Sequence, residues 1–223
     1  MESSALSPGV VFQLGPLIIT STVITTWITM LVITLFCLFA RSRLRKEPGR
    51  LQTVLEGIVS AIENAVIEVE PSHGKRIMPF VGSLWIFLVI ANLTGLVPGL
   101  HAPTRDLSTT AALAFLVFLS VHWYGVRIQG WRGYMRHFLA PNPLLLPFNL
   151  ISEVSRTVAL AVRLFGNMMS LEMAALLILV VAGFLAPVPI LMLHIVEALV
   201  QAYIFGMLAL IYVAGGMQSQ GEL

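Results

Sequence analysis

From Leu17 to Ala40 the chain runs 24 residues without a charged side chain. At about 1.5 Å per residue this is a helix of about 36 Å, longer than a hydrocarbon core of about 30 Å. In lipid every backbone N–H and C=O must be satisfied within the segment, so a run of this length is restricted to a membrane-spanning helix. Further long apolar runs follow it. The chain is 57% hydrophobic and 11% charged, where soluble domains carry about 25% charged residues, and its mean hydropathy is +0.90. These values predict an all-α, polytopic integral membrane protein, a single membrane domain over residues 1–223.

Charge sets the topology. The outer N-terminal segment 1–16, "MESSALSPGVVFQLGP", has no basic n-region, and no small-residue cleavage site follows the first apolar run. The first span, 17–40, is therefore expected to be a retained anchor rather than a secretory signal, and no mitochondrial transit peptide is visible. It ends at "RSRLRKEPGR", with Arg41, Arg43, Arg45, Lys46 and Arg50. Residues 51–70 place Val54, Leu55, Ile58, Ile62, Val66 and Val69 at helical spacing, with Glu56, Glu63, Glu68 and Glu70 on the remainder. This predicts an amphipathic helix on the cytoplasmic membrane face or against a partner.

Lys75 and Arg76 precede a second span, 77–100, which leads into the short outer loop "HAPTRDLS". A third span, 109–126, ends in the aromatic belt His122, Trp123 and Tyr124, and the loop "RIQGWRGYMRHFLAPNP" returns three arginines to the cytoplasm. Ten of the thirteen Lys and Arg residues thus fall on one side, Arg105 on the other, and Arg156 and Arg163 inside apolar sequence. By the positive-inside rule the N-terminus is outside and the C-terminus cytoplasmic. The net charge of +2 and pI near 9.0 are topology signals, and no nucleic-acid partner is expected.

The last two spans, 144–186 and 190–215, form a long hairpin. No proline interrupts Phe148 to Ala186, so one helix of about 58 Å fits there and must tilt, bend or run along the interface. "GFLAPVP" at Gly183 to Pro189 reads as the turn. No repeat of 20–50 residues and no inverted repeat is present. The single cysteine, Cys37, lies in the first span and excludes an internal disulfide or CxxC site.

The hairpin carries Glu153, Arg156, Arg163, Asn167, Glu172, His194, Glu197 and Gln201. Ionisable residues at membrane depth mark function by default, because Arg at the bilayer centre costs about 2.5–3.5 kcal/mol on insertion scales and more in simulations. At about 100° per residue Arg156, Arg163, Asn167 and Ser170 share a stripe, whereas Glu172 points nearly opposite to Arg163. His194, Glu197 and Gln201 form a second stripe that can face Glu172 across the hairpin and make a water-filled half-pathway. Arg156 can snorkel to the boundary; snorkelling explains Arg163 less well, since at least six residues on each side separate it from the next charge. A guanidinium stays protonated, so Arg163 cannot relay protons. It is a fixed cation that attracts a partner's carboxylate and blocks a leak between aqueous half-pathways. "HIVE" lacks the further ligands zinc requires, and His73, His101 and His137 read as solvated. No GxSxG, HExxH or P-loop occurs, so neither a metal nor a cofactor is expected.

"RLFGNM" at 163–168, "QAYIF" at 201–205 and "NLTGLVPG" at 92–99 resemble the a subunit of the F-type rotary ATP synthase, and the resemblance covers nearly the whole chain. It implies a non-catalytic membrane stator, with two half-channels set against a ring of c subunits, the b subunits of the peripheral stalk as further partners, and protons or sodium as cargo. Arg163 would meet the c-ring carboxylate. Asn167, Glu172, His194 and Gln201 would line the outer half-channel, with Asn92 and Asp106 at its mouth and Glu197 on the same stripe. Ser155 and Arg156 match a Ser-basic pair on the cytoplasmic side. The chain departs from the pattern at Thr157 (often proline), at Ala159 (often serine), and at Glu153, which stands closer in than the family's upstream glutamate. Its short length is similar to compact bacterial a subunits, which implies a bacterial inner membrane. The rival is a self-contained proton- or sodium-coupled transporter or channel with Glu172, His194 and Glu197 as its relay; a scaffold leaves the buried charges unexplained.

Overall fold

The computed structural model describes residues 10–14, 17–42, 49–97, 102–139, 146–183 and 188–217. The N-terminal residues 1–9, the basic Arg43, Arg45 and Lys46, the loop residues 98–101 with His101, the connection 140–145, the turn residues 184–187, and the side chains of Arg136 and His137 lie outside the described set. The elements are a hairpin of β1 (Val10–Leu14) and β2 (Leu17–Thr20), then α1 (Ser21–Ser42), α2 (Arg50–Val69), α3 (Gly74–Leu93), α4 (Leu107–Leu139), α5 (Leu146–Ala182) and α6 (Val188–Met217). Five helices are long and apolar enough to cross a membrane: α1, α3 with its 3-10 extension, α4, α5 and α6. The chain is an all-helical polytopic membrane protein apart from the short hairpin.

That hairpin changes the first expected boundary. Residues 17–20 are not the first turn of the span but an antiparallel strand, Val10 opposite Thr20 and Leu14 opposite Leu17, with an irregular register between Val10 and Phe12. "LIIT" is β-branched and apolar, which suits a strand as well as a helix. The helix starts at Ser21. Inside α1 the hydroxyls of Thr25, Thr26, Thr29 and Thr34 donate to carbonyls four residues back. A polar side chain so occupied leaves no unsatisfied donor toward lipid.

Two cores hold the bundle. In one, Leu84 and Leu88 of α3, Val117 of α4, Leu160 and Leu164 of α5, and Ala202 and Phe205 of α6 interlock. In the other, Val66 of α2 packs with Ile77, Val81 and Trp85 of α3, Val121 of α4, and Leu210 and Val213 of α6. The N-terminal half of α2 keeps Leu51, Val54 and Ile58 exposed, as an amphipathic helix with one end docked would. Apolar burial has little driving force between helices already in lipid, so close backbone approach through small residues does more. Gly206 shows this: a Cβ there would collide with the Trp85 indole.

The third span differs from its expected extent of 109–126. Helical structure runs from Leu107 to Leu139, broken by Gly130 at φ 74°, ψ 160°. The segment expected as a cytoplasmic loop is helical on both sides of that glycine. Beyond the break the chain folds back, placing the Tyr134 ring 5.9 Å from His122 and tight against Gly125, where a Cβ would lie 2.5 Å from Tyr134 Cε2. Glycine adopts positive φ at no steric cost, and Gln129 closes the corner by donating its side-chain amide to the Gly216 carbonyl at 3.2 Å.

Candidate functional site

At 37 residues, α5 is about 55 Å long, far more than a hydrocarbon core needs. Leu160, Ala161, Leu164 and Met168 bury one side of it against α3, α4 and α6. The other side carries Ser152, Ser155, Ala159, Arg163, Ser170 and Ala174, all exposed, with Gly166 half-buried. Arg163 is thus one long side chain on a strip of small ones. Among the described residues it forms no ion pair and no hydrogen bond.

Asn167, one turn on, stands where this strip meets the seam with α6. Its Nδ2 donates to Gln201 Oε1 at 2.6 Å. Gln201 is buried and its Nε2 has no hydrogen-bond partner among the described residues; the same holds for the buried His194 Nε2, seven residues earlier on α6. A buried orphan donor or acceptor costs about 1–3 kcal/mol unless water or a ligand satisfies it. Two on one stripe make a polar line through an otherwise apolar seam. His194 lies against the loop after α3, so that a Cβ on Gly95 would come within 3.4 Å of His194 Nε2 and 3.1 Å of Ala102 Cβ. Glu197, between them in sequence, is half-buried and without an ion pair among the described residues.

The same end of the bundle gathers Asn92, Thr104, Arg105 and Glu172. Asn92, fully buried at the end of α3, donates from Nδ2 to the Ala198 carbonyl of α6 at 3.1 Å. Its Oδ1 accepts the Thr104 hydroxyl at 2.8 Å. One side chain thereby stitches α3, α6 and the 3-10 turn Pro103–Arg105. The next residue, Arg105, forms an ion pair with Glu172 of α5, their side chains only 19% and 24% exposed. Asp106 does not join the cluster through its carboxylate; Oδ1 accepts the Ser108 N–H at 3.0 Å and so caps α4.

Glu153, Ser155 and Arg156 lie toward the opposite end of α5. Arg156 is exposed, its guanidinium carbon 5.8 Å above the Tyr212 ring of α6. Such cation–π contacts hold an arginine by an aromatic face. Ser155 is exposed and Glu153 half-buried. Asn167 and Gln201 are therefore brought together across α5 and α6, Asn92 and Glu172 are tied to one 3-10 turn through Thr104 and Arg105, and His194 lies against Gly95 just before that turn, while Glu153, Ser155 and Arg156 join none of these contacts. Thr104 and the partner role of Arg105 were missed from the sequence. The polar run "PTRD" was a signal that the loop does more than connect, but it names no partner. Among the described residues no three His, Cys, Asp or Glu converge as metal ligands.

This arrangement has relatives. The chain is 60% identical to ATP synthase subunit a 1 of Hahella chejuensis, over 99% of this chain and 94% of that protein. It is 62% identical to ATP synthase subunit a 2 of Pelobacter propionicus, over 93% and 91%, and 56% identical to ATP synthase subunit a of Legionella pneumophila, over 95% and 94%. The family profile described as ATP synthase A chain matches residues 23–214, which spans every helix from α1 to α6, and the chain belongs to that family.

Proposed function

We propose that the chain is the ion-translocating stator subunit of the membrane sector of a rotary ATP synthase, and that its own residues make the two half-channels. Arg163 faces the carboxylate of a rotor ring of c subunits. The observation that carries this reading is the exposed Arg163, without a partner among the described residues, on a strip of small residues along α5. Small side chains let a neighbouring helix come close, and a bare guanidinium in lipid needs an anionic partner. The subunit itself is non-catalytic; nucleotide chemistry belongs to the rest of the complex. Peripheral-stalk b subunits complete the stator.

The outer half-channel follows the seam of α5 and α6, from Asn92, Glu172 and His194 to the Asn167–Gln201 pair beside Arg163. Glu197 lies along it, and Asp106 fixes its mouth by capping α4. Glu153, Ser155 and Arg156 serve the cytoplasmic half-channel. In each cycle a proton, or a sodium ion, enters by the outer path and neutralises a ring carboxylate. That site turns through lipid and discharges into the other path as the re-ionised carboxylate meets Arg163. Since the arginine stays charged at every relevant pH, it never carries the ion and separates the two paths. A membrane potential supplies about 2.3 kcal/mol per charge per 100 mV. The chain sits in a bacterial inner membrane with its N-terminus outside and its C-terminus in the cytoplasm.

The reading is tested against the self-contained transporter by reconstituting the purified chain alone and the whole complex in liposomes. Uptake of protons and of labelled sodium is followed under an imposed potential and with ATP. The stator reading expects coupled uptake by the complex and none by the chain alone. Saturable, coupled uptake by the isolated chain would overturn it.

A further inference from the structure

We propose that Arg105 is a positioning residue of the ion pathway. It fixes the Glu172 carboxylate at the outer mouth of the α5–α6 seam and latches the outer loop over it. The proposal rests on the reading of Glu172 as a pathway group, and it concerns a residue whose sequence signal was only that of a loop charge.

The argument starts from how firmly Arg105 is held. Its turn is braced from both sides: Thr104 is buried and donates to Asn92, and Asp106 caps the first turn of α4. The turn contacts α1, α3, α4 and α5. The guanidinium therefore reaches Glu172 from a fixed platform, across 67 residues of sequence, and little side-chain freedom is left to lose. The pair is mostly shielded from water, unlike exposed ion pairs, whose median contribution is small.

Two further facts give the contact a role beyond fastening. Glu172 stands nine residues from Arg163, half a turn round α5 and about 13 Å along it, so the two arginines address different faces of one helix. His194, whose buried Nε2 has no partner among the described residues, lies against Gly95, and Gly95 in turn lies against Ala102, three residues before Arg105. The loop that carries Arg105 thus sets the surroundings of both titratable groups at the mouth. Arg105 cannot release a proton itself; it acts through Glu172, by keeping that carboxylate in the seam and pointed at the loop.

The test is a double-mutant cycle in the whole complex, reconstituted in liposomes, reading ATP-driven uptake of the wild-type ion per ATP hydrolysed in assembled enzyme. Arg105→Gln and Glu172→Gln are each expected to lower uptake roughly tenfold, with the double variant no worse than the weaker single, and Arg105→Lys to recover several-fold. Wild-type uptake by Arg105→Gln, or losses that multiply in the double variant, would overturn the proposal. Should Arg105→Gln fail to assemble, the cycle is run with Arg105→Met, which keeps the stem and removes the charge, and the same two outcomes decide. Normal uptake by Glu172→Gln would remove the underlying reading of Glu172 as a pathway group, whereas impaired Glu172→Gln beside normal Arg105→Gln removes only the role of Arg105.

Discussion

Two arginines of this chain meet the apolar interior in opposite ways. Arg105 arrives from a braced turn and finds Glu172, so its charge is answered inside the subunit. Arg163 stands on the exposed side of α5 with nothing to answer it among the described residues. Removing one member of a shielded pair leaves the other charge uncompensated, at a cost of about 3–5 kcal/mol for a fully buried pair. Removing Arg163 leaves no charge uncompensated among the described residues. One arginine is part of what holds the subunit together; the other, on the function proposed above, is offered to the rotor ring.

The sharpest way to break that contrast is Arg163→Ala. ATP-driven ion uptake by the reconstituted complex should fall to background, while the thermal stability of the isolated subunit stays unchanged or rises. Normal ATP-driven uptake would sink the role given to Arg163, and a large loss of subunit stability would mean that an internal partner exists after all. A smaller effect is expected from Asn167→Leu, which strands the buried Gln201 amide at about 1–3 kcal/mol. Uptake should drop roughly tenfold with Arg163 still in place. If Asn167→Leu matches wild type, the α5–α6 seam is not the path. The smallest effect on transport should come from Gly206→Ala, whose Cβ would press into the Trp85 ring. Overpacking of this kind costs about 1–3 kcal/mol and should reduce the amount of assembled complex, leaving ions moved per ATP at the wild-type ratio. A changed ratio would show that the α3–α6 contact is not purely structural.

Much of the architecture could be read from the sequence because lipid imposes a length and a polarity that few other environments do. Five spans, the excess length of α5 and the opposed directions of Arg163 and Glu172 all follow from apolar runs and helical periodicity. The losses came where local pattern is ambiguous or contacts are distant. "LIIT" satisfies strand and helix equally. Gly130 was counted as loop because its neighbours are polar and aromatic, yet those residues are helical on either side of one positive-φ glycine. Glu172 was expected to be able to face the His194 stripe on α6, and the structure adds an ion pair with Arg105 on the loop before α4. Nothing in the spacing of two residues 67 positions apart announces such a contact. The Asn167–Gln201 bond was foreseeable only as two polar stripes on adjacent helices, and the Asn92–Thr104 link not at all.

The close contact of Gly206 with Trp85 also has a mechanical side. Half of the apolar stretch of α6 is buried, against 17% for α5, so α6 is the keel of the bundle and α5 is fastened along its flank. Backbones brought together by a missing side chain leave little room to slide, and a dense wall compresses poorly. A rotor pushing sideways on α5 would find its load passed through Leu164 and Phe205 into that wall rather than absorbed by bending. Rigidity behind a working edge is what lets a subunit with no motor of its own resist torque.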